Sequence, residues 1–136
     1  MKKITLLILI LLSTGCFEDS GKLVTTCVKK EDINTLYLES TYVIDFKADI
    51  INNVDVTYYY SDRNSNTLSS IKSSINSTDQ FISGLRKSII LDNESEFKVS
   101  YNITSEDSKE VKIKFFVEER RSSLVKTLEE KGFVCK

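Results

Sequence analysis

Three cysteines, Cys16, Cys27 and Cys135, are the side chains here best suited to covalent chemistry. Histidine is absent, which removes His-based triads, His-containing zinc sites and imidazole general bases. Three thiols fall short of the four that an all-cysteine zinc site needs. Carboxylates, lysines and tyrosines remain as acid–base groups. Asp45 and Asp49 share one face of a predicted strand but lie four residues, roughly 13 Å, apart, beyond the carboxylate separation of either glycosidase geometry. Glu118-Glu119 and Glu129-Glu130 read as solvated charges at element ends. The acidic loop 92–96 alternates oxygen ligands yet lacks the glycine and the terminal glutamate of an EF-hand. Four scattered glycines make no phosphate-cradling loop. No catalytic residue, metal site or cofactor is predicted.

The surroundings of Cys16 give it a role. Lys2 and Lys3 precede an apolar run over residues 4–12, broken only by Thr5, and the small residues Ser13, Thr14 and Gly15 follow. This is the layout of a secretory signal peptide, and the run is too short to cross a ~30 Å hydrocarbon core as a helix. Leu12-Ser13-Thr14-Gly15-Cys16 resembles a bacterial lipobox, which implies a diacylglyceryl group on the Cys16 thiol, carrying acyl chains such as palmitate, and cleavage just before it. The expected organisation is a lipoprotein signal peptide at 1–15, the lipidated cysteine and a tether at 16–22, and one domain at 23–136. Loss of Lys2 and Lys3 would leave 17 Lys+Arg against 20 Asp+Glu, a net side-chain charge of −3. No basic excess exists for nucleic acid. Each buried methylene contributes about 0.8 kcal/mol, so two acyl chains would hold the domain firmly at a membrane. The six residues 17–22 span at most about 20 Å, which places the domain close to the lipid surface, outside the cytoplasm.

Cys27 and Cys135 then remain, near the two ends of an exported domain, and pair most simply as one disulfide. The competing reading is a redox-active pair, but such pairs usually lie close together as C-x-x-C.

The elements that must position these groups follow from periodicity. The chain of 136 residues, 40% hydrophobic and 29% charged, suits one soluble globular core. Residues 23–30 read as a first strand and 31–34 as a turn. Leu36, Leu38, Ser40, Tyr42, Ile44, Phe46, Ala48 and Ile50 alternate against polar neighbours as one long strand. A turn at Asn52-Asn53 leads to a returning strand with Val54, Val56, Tyr58 and Tyr60 inward. Leu68, Ile71, Ile75, Ile82, Leu85 and Ile89 recur at helical intervals, with a weak middle near 76–79. A second hairpin is expected from Phe97, Val99, Tyr101 and Ile103 paired with Val111, Ile113, Phe115 and Val117. A last helix, capped by Ser122 or Ser123, should run to Lys131 and stop at Gly132 with Phe133 folding back. The fold class is α+β: an antiparallel sheet of about five strands, β-β-β-α-β-β-α, with two helices on one face. Tyr37, Val43, Tyr59 and Phe116 fall among charged residues on the outward strand face and form a candidate interaction surface.

The lipobox at Cys16, the short linker, the strand Leu23-Val24-Thr25-Thr26-Cys27 and the ending Leu128-Glu129-Glu130-Lys131-Gly132-Phe133-Val134-Cys135-Lys136 resemble the YehR-like small lipoproteins of bacteria and their relatives in Firmicutes. The resemblance implies an α+β lipoprotein and carries over no catalytic residue. The expected function is a lipid-anchored, non-enzymatic envelope module that binds an envelope protein or small ligand. The alternative is an envelope ligand carrier or hydrolase with a pocket between helix and sheet.

Overall fold

The alternating first half of the domain folds into three long strands, β1 (Leu23–Ile33), β2 (Leu36–Lys47) and β3 (Ile50–Asp62), each antiparallel to the next. The structure, a computed structural model, describes residues 23–136; the predicted signal peptide, tether and Cys16 lie outside the described residues. After β3 come α1 (Ser65–Asp79), β4 (Arg86–Asp92), β5 (Glu96–Thr104), α2 (Lys109–Lys114), α3 (Arg121–Glu130) and the two-residue β6 (Val134–Cys135). The sheet order is β4-β5-β3-β2-β1-β6. The fold is therefore α+β with an antiparallel sheet, as expected, but it has six strands and three helices.

One face of the sheet carries the core. Thr25 and Cys27, Ser40, Tyr42 and Ile44, Val54 and Val56, and Phe97, Val99, Tyr101 and Ile103 are all buried, as side chains two residues apart along each strand must be. A single cross-strand row joins Cys135, Cys27, Tyr42, Val56, Tyr101 and Lys87. Leu68 of α1, Val111 of α2 and Leu124 and Leu128 of α3 close the core; each such leucine contributes about 1.5–3 kcal/mol by leaving water.

Three sequence expectations are corrected. The turn after β2 is at Ala48-Asp49, not Asn52-Asn53: Lys47 pairs with Ile50, and the register slips where Asp45 faces Asn53 and Phe46 faces Ile51, so Asn52 is the extra residue of a bulge. Ala48 and Asp49 both have positive φ, 50° and 65°, as a two-residue hairpin of this type requires. Neither is glycine, so the usual sequence signal was missing. The amphipathic run of 68–89 divides at its weak middle: α1 ends at Asp79, Gly84 turns the chain at φ 78°, and Ile89 pairs with Val99 in a strand. Helical spacing of Ile82, Leu85 and Ile89 coincided with a turn and a strand; Ile82 and Leu85 pack on the core, whereas Ile89 is exposed. The expected strand 111–117 is α2 instead. Ser108 caps it by accepting the Val111 N–H at 3.3 Å, and Val111 and Phe115, one helical turn apart, are both buried. The partner of β5 in its hairpin is therefore β4.

The start of α3 differs from expectation in an informative way. Its N-cap residue is Arg120, with no side-chain cap bond. The β2–β3 turn supplies the cap: Asp49 Oδ1 accepts the Ser122 N–H at 2.9 Å, Oδ2 accepts the Ser122 hydroxyl at 2.6 Å, and the Asp49 carbonyl accepts the Arg121 N–H at 2.9 Å. Helix and hairpin thus hold one another, satisfying donors that a helix start leaves open. The Ser122 hydroxyl and N–H hold the Asp49 carboxyl below its ordinary value. A group lowered on folding stabilises above its unfolded pKa, near 4, and loses that contribution as pH falls through the folded value. Asp49→Ala should lower the thermal midpoint by a few degrees at neutral pH and by less once the pH falls below the folded pKa; an equal drop at both pH values would contradict the capping role. The end of α3 follows the sequence: Phe133 N–H reaches Leu128 C=O and Gly132 N–H reaches Glu129 C=O, both at 3.0 Å, with Gly132 at φ 93°, a Schellman stop.

Candidate functional site

The outward sheet face gathers only part of the predicted surface. Tyr37 and Tyr59, on adjacent strands, meet edge to face with ring centroids 6.1 Å apart. Tyr37 donates to Glu39 Oε2 at 2.9 Å and Tyr59 donates to Glu96 Oε1; those hydrogen bonds raise both phenol pKa values. Val43 shares this face opposite Asp55, four cross-strand pairs from the Glu39–Tyr59 pair, roughly 14 Å along the strand. Phe116 is not on a strand. It follows α2 with φ 58°, and its ring lies 4.3 Å from the Lys131 ammonium. The rest of the face is a polar ladder closed on itself. Asn102 Nδ2 donates to Asn53 Oδ1 and Asp55 Oδ1 at 2.6 Å each, and Arg86 grips both Asp107 oxygens at 3.0 and 2.7 Å.

A second constellation lies between the helices and the sheet. Tyr58 and Tyr60 of β3, Tyr101 of β5, Ile75 of α1 and Lys114 with Phe115 at the end of α2 line a cleft of about 200 Å³. The strand positions follow from alternation: Tyr58 and Tyr60 continue the inward face of Val54 and Val56, and Tyr101 lies between Val99 and Ile103. Tyr101 stacks tilted on Phe115 at 4.8 Å and meets Tyr58 at 6.1 Å.

Asp79, only 7% exposed at the end of α1, organises the polar side. Its Oδ2 accepts the Tyr101 hydroxyl at 2.7 Å and pairs with Lys87 Nζ at 3.1 Å, while Oδ1 pairs with Lys114 Nζ at 3.0 Å. Burial pushes the Asp79 carboxyl up, but Tyr101, Lys114 and Lys87 outweigh it, and the group is held below its ordinary value. Burial pushes the three phenols the other way from ionisation: Tyr60 rises to about 12, and Tyr58 and Tyr101 rise as well, Tyr101 also through its bond to Asp79. At neutral pH the cleft therefore presents protonated phenols and an ammonium beside a carboxylate fixed as its anion. Such groups donate hydrogen bonds and attract charge; a carboxylate held low and phenols held high are poorly matched to proton transfer near pH 7.

Sequence reading placed these tyrosines as core positions, took Asp79 for a helix interruption and set Lys114 on an outward strand face. The available signal was tyrosine where valine or isoleucine would fill the core, since a buried hydroxyl needs a partner. Among the described residues no group of three or more His, Cys, Asp or Glu side chains could hold a metal ion, and no helix is long and apolar enough to cross a membrane.

Cys27 and Cys135 come together as predicted. They face one another across β1 and β6 and are joined, Sγ–Sγ 2.07 Å, flanked by reciprocal backbone bonds between Thr26 and Lys136 of 2.8 and 2.9 Å.

No family model and no curated protein matches the chain. The architecture is similar to that in the "NMR structure of the protein from Streptococcus pneumoniae TIGR4", with a TM-score of 0.52 at 10% identity, covering 88% of this chain and 87% of that one. The likeness defines a shared α+β fold.

Proposed function

We propose that the chain is a YehR-like, lipid-anchored lipoprotein of the bacterial cell envelope, held to the membrane by a diacylglyceryl group on Cys16, whose domain is a non-enzymatic binding module. The observation that carries this reading is the Cys27–Cys135 bridge, because disulfides persist outside the reducing cytosol and the segment before Leu23 reads as an export signal ending in a lipid-accepting cysteine. The partner is an envelope protein or small ligand, not nucleic acid. The cleft of Tyr58, Tyr60, Tyr101 and Lys114 favours the ligand-carrying form of the reading. It favours hydrolysis less, since the neighbouring carboxylate, Asp79, is already engaged by two ammonium groups and a phenol.

Fractionation tests the anchor. The wild-type chain should sediment with membranes and leave them only in detergent, whereas Cys16→Ser should lose the lipid and no longer need detergent for release. A Cys16→Ser protein held as tightly as wild type would overturn the anchor.

A further inference from the structure

The charges around Asp79 do not balance. Two ammonium groups, Lys87 and Lys114, bind one carboxylate, and among the described residues neither lysine pairs with a second acid. Their side chains are 23% and 25% exposed, so the excess positive charge is partly screened from water but open to a visitor. Lys114 is the one that reaches the cleft. Its Nζ lies 5.6 Å from the Phe115 ring centre and 6.0 Å from that of Tyr101, at the border between the charged and the aromatic lining. Ile75, Phe115 and the tyrosine rings supply an apolar wall. Lys87 is held further by Asn76 Oδ1 at 3.1 Å, which leaves Lys114 the freer counter-charge.

We infer that this cleft binds a small organic monoanion, a carboxylate on an aromatic or short apolar body, with Lys114 as its counter-ion and the Tyr60 hydroxyl as a further donor. The inference rests on the ligand-carrying reading above and names the ligand class. A carboxylate matches the single uncompensated charge and the Tyr60 hydroxyl, while the rings and Ile75 take the apolar part. The volume of about 200 Å³ is below the ~300–1,000 Å³ of pockets for drug-sized ligands, so the occupant is small. The Tyr60 phenol, kept protonated by burial, offers its hydrogen to an anion, while the Tyr58 and Tyr101 phenols, also protonated, add no negative charge.

Benzoate, its neutral analogue benzamide and the cation benzylamine are suitable probes, titrated separately into the ¹⁵N-labelled full chain in detergent. Benzoate should give saturable amide shifts centred on residues 58, 60, 75 and 114, with benzamide and benzylamine roughly tenfold weaker or worse. Lys114→Gln should weaken benzoate about tenfold or more, Lys114→Arg should retain most of the binding, and Lys126→Gln, which removes an equal charge from α3, should leave it unchanged. Tyr60→Phe keeps the ring and removes one donor, and should weaken benzoate severalfold in a chain whose spectrum stays dispersed. Benzamide binding the cleft as well as benzoate would overturn the ligand class and leave the pocket standing. Absence of saturable shifts with any probe would overturn both the class and the ligand-carrying reading, and the anchor is decided separately by fractionation.

Discussion

The double substitution Cys27→Ala/Cys135→Ala should destabilise the domain by about 2–5 kcal/mol, a fall of roughly 10 °C or more in thermal midpoint for a domain of this size. The bridged residues are 108 positions apart, and the chain-entropy model puts a loop of that length at about 4–5 kcal/mol, with measured values often lower. The native side of the equilibrium points the same way. Strand β6 has two residues and holds to β1 through Thr26–Lys136 backbone bonds and the bridge. Phe133, just before it, meets the buried Tyr42 edge to face at 5.4 Å. Without the bridge the tail should fray, Tyr42 should lose that cover, and amide exchange at residues 133–136 should rise first. Thermal or urea unfolding with and without reductant measures the same effect; an unchanged midpoint would contradict it.

Asp79→Ala carries the second large effect, about 2–3 kcal/mol of destabilisation. Removing one partner of a fully buried ion pair costs about 3–5 kcal/mol. Lys87 and Lys114 each keep about a quarter of their side chains in water, so they are partly rehydrated when the carboxylate leaves, and the lower figure follows. The Tyr101 hydroxyl, on a side chain 3% exposed, also loses its acceptor. The sign with pH is fixed by the lowered Asp79 pKa: the stabilisation is complete above the unfolded value, near 4, and drains away as pH falls through the folded value. Urea midpoints of wild type and Asp79→Ala should therefore differ most at neutral pH and converge in acid. A gap that widens as the pH falls would refute the ionised Asp79 described above.

Much of this fold was legible from residue order because the signals were redundant. Strand β2 alternates over most of its length and β3 from Val54 onward, so a one-residue error would turn every side chain outward; β1, which alternates less, runs to Ile33 where a turn over 31–34 was expected. Gly132 and Phe133 marked the stop of α3 before any hydrogen bond was known. The bridge was legible because the lipobox reading set Cys16 apart from the other two cysteines. What failed had two equally good local readings. Val111 and Phe115 fit one face of either a strand or a helix, since four residues is both a strand repeat and nearly a helical turn. Ile82 and Leu85 reach the core from the turn before β4, and Ile89, in that strand, follows at an interval that mimics a helix although it is exposed. The turn at Ala48-Asp49 is tied to α3, 73 residues away in sequence, and no glycine or asparagine at the turn announces it.

The candidate site was the less legible part for the same reason. Tyr37 and Tyr59 came together because alternation put both on the outward face of neighbouring strands, although the turn between those strands was misplaced, while Phe116 was lost with the misread strand. The cleft requires Asp79, Lys87, Tyr101 and Lys114 from four different elements, and only the crossing of α1 over the sheet and the return of α2 join them.

The central claim is that one sulfur fastens an exported domain to lipid while the other two close its fold. The intact mass of the mature protein, taken with and without reductant, tests both halves together. The predicted result is a chain beginning at Cys16, heavier by a diacylglyceryl group, that gains two hydrogens on reduction. A chain retaining Met1, or one whose mass does not change on reduction because Cys27 and Cys135 are already free thiols, would contradict it.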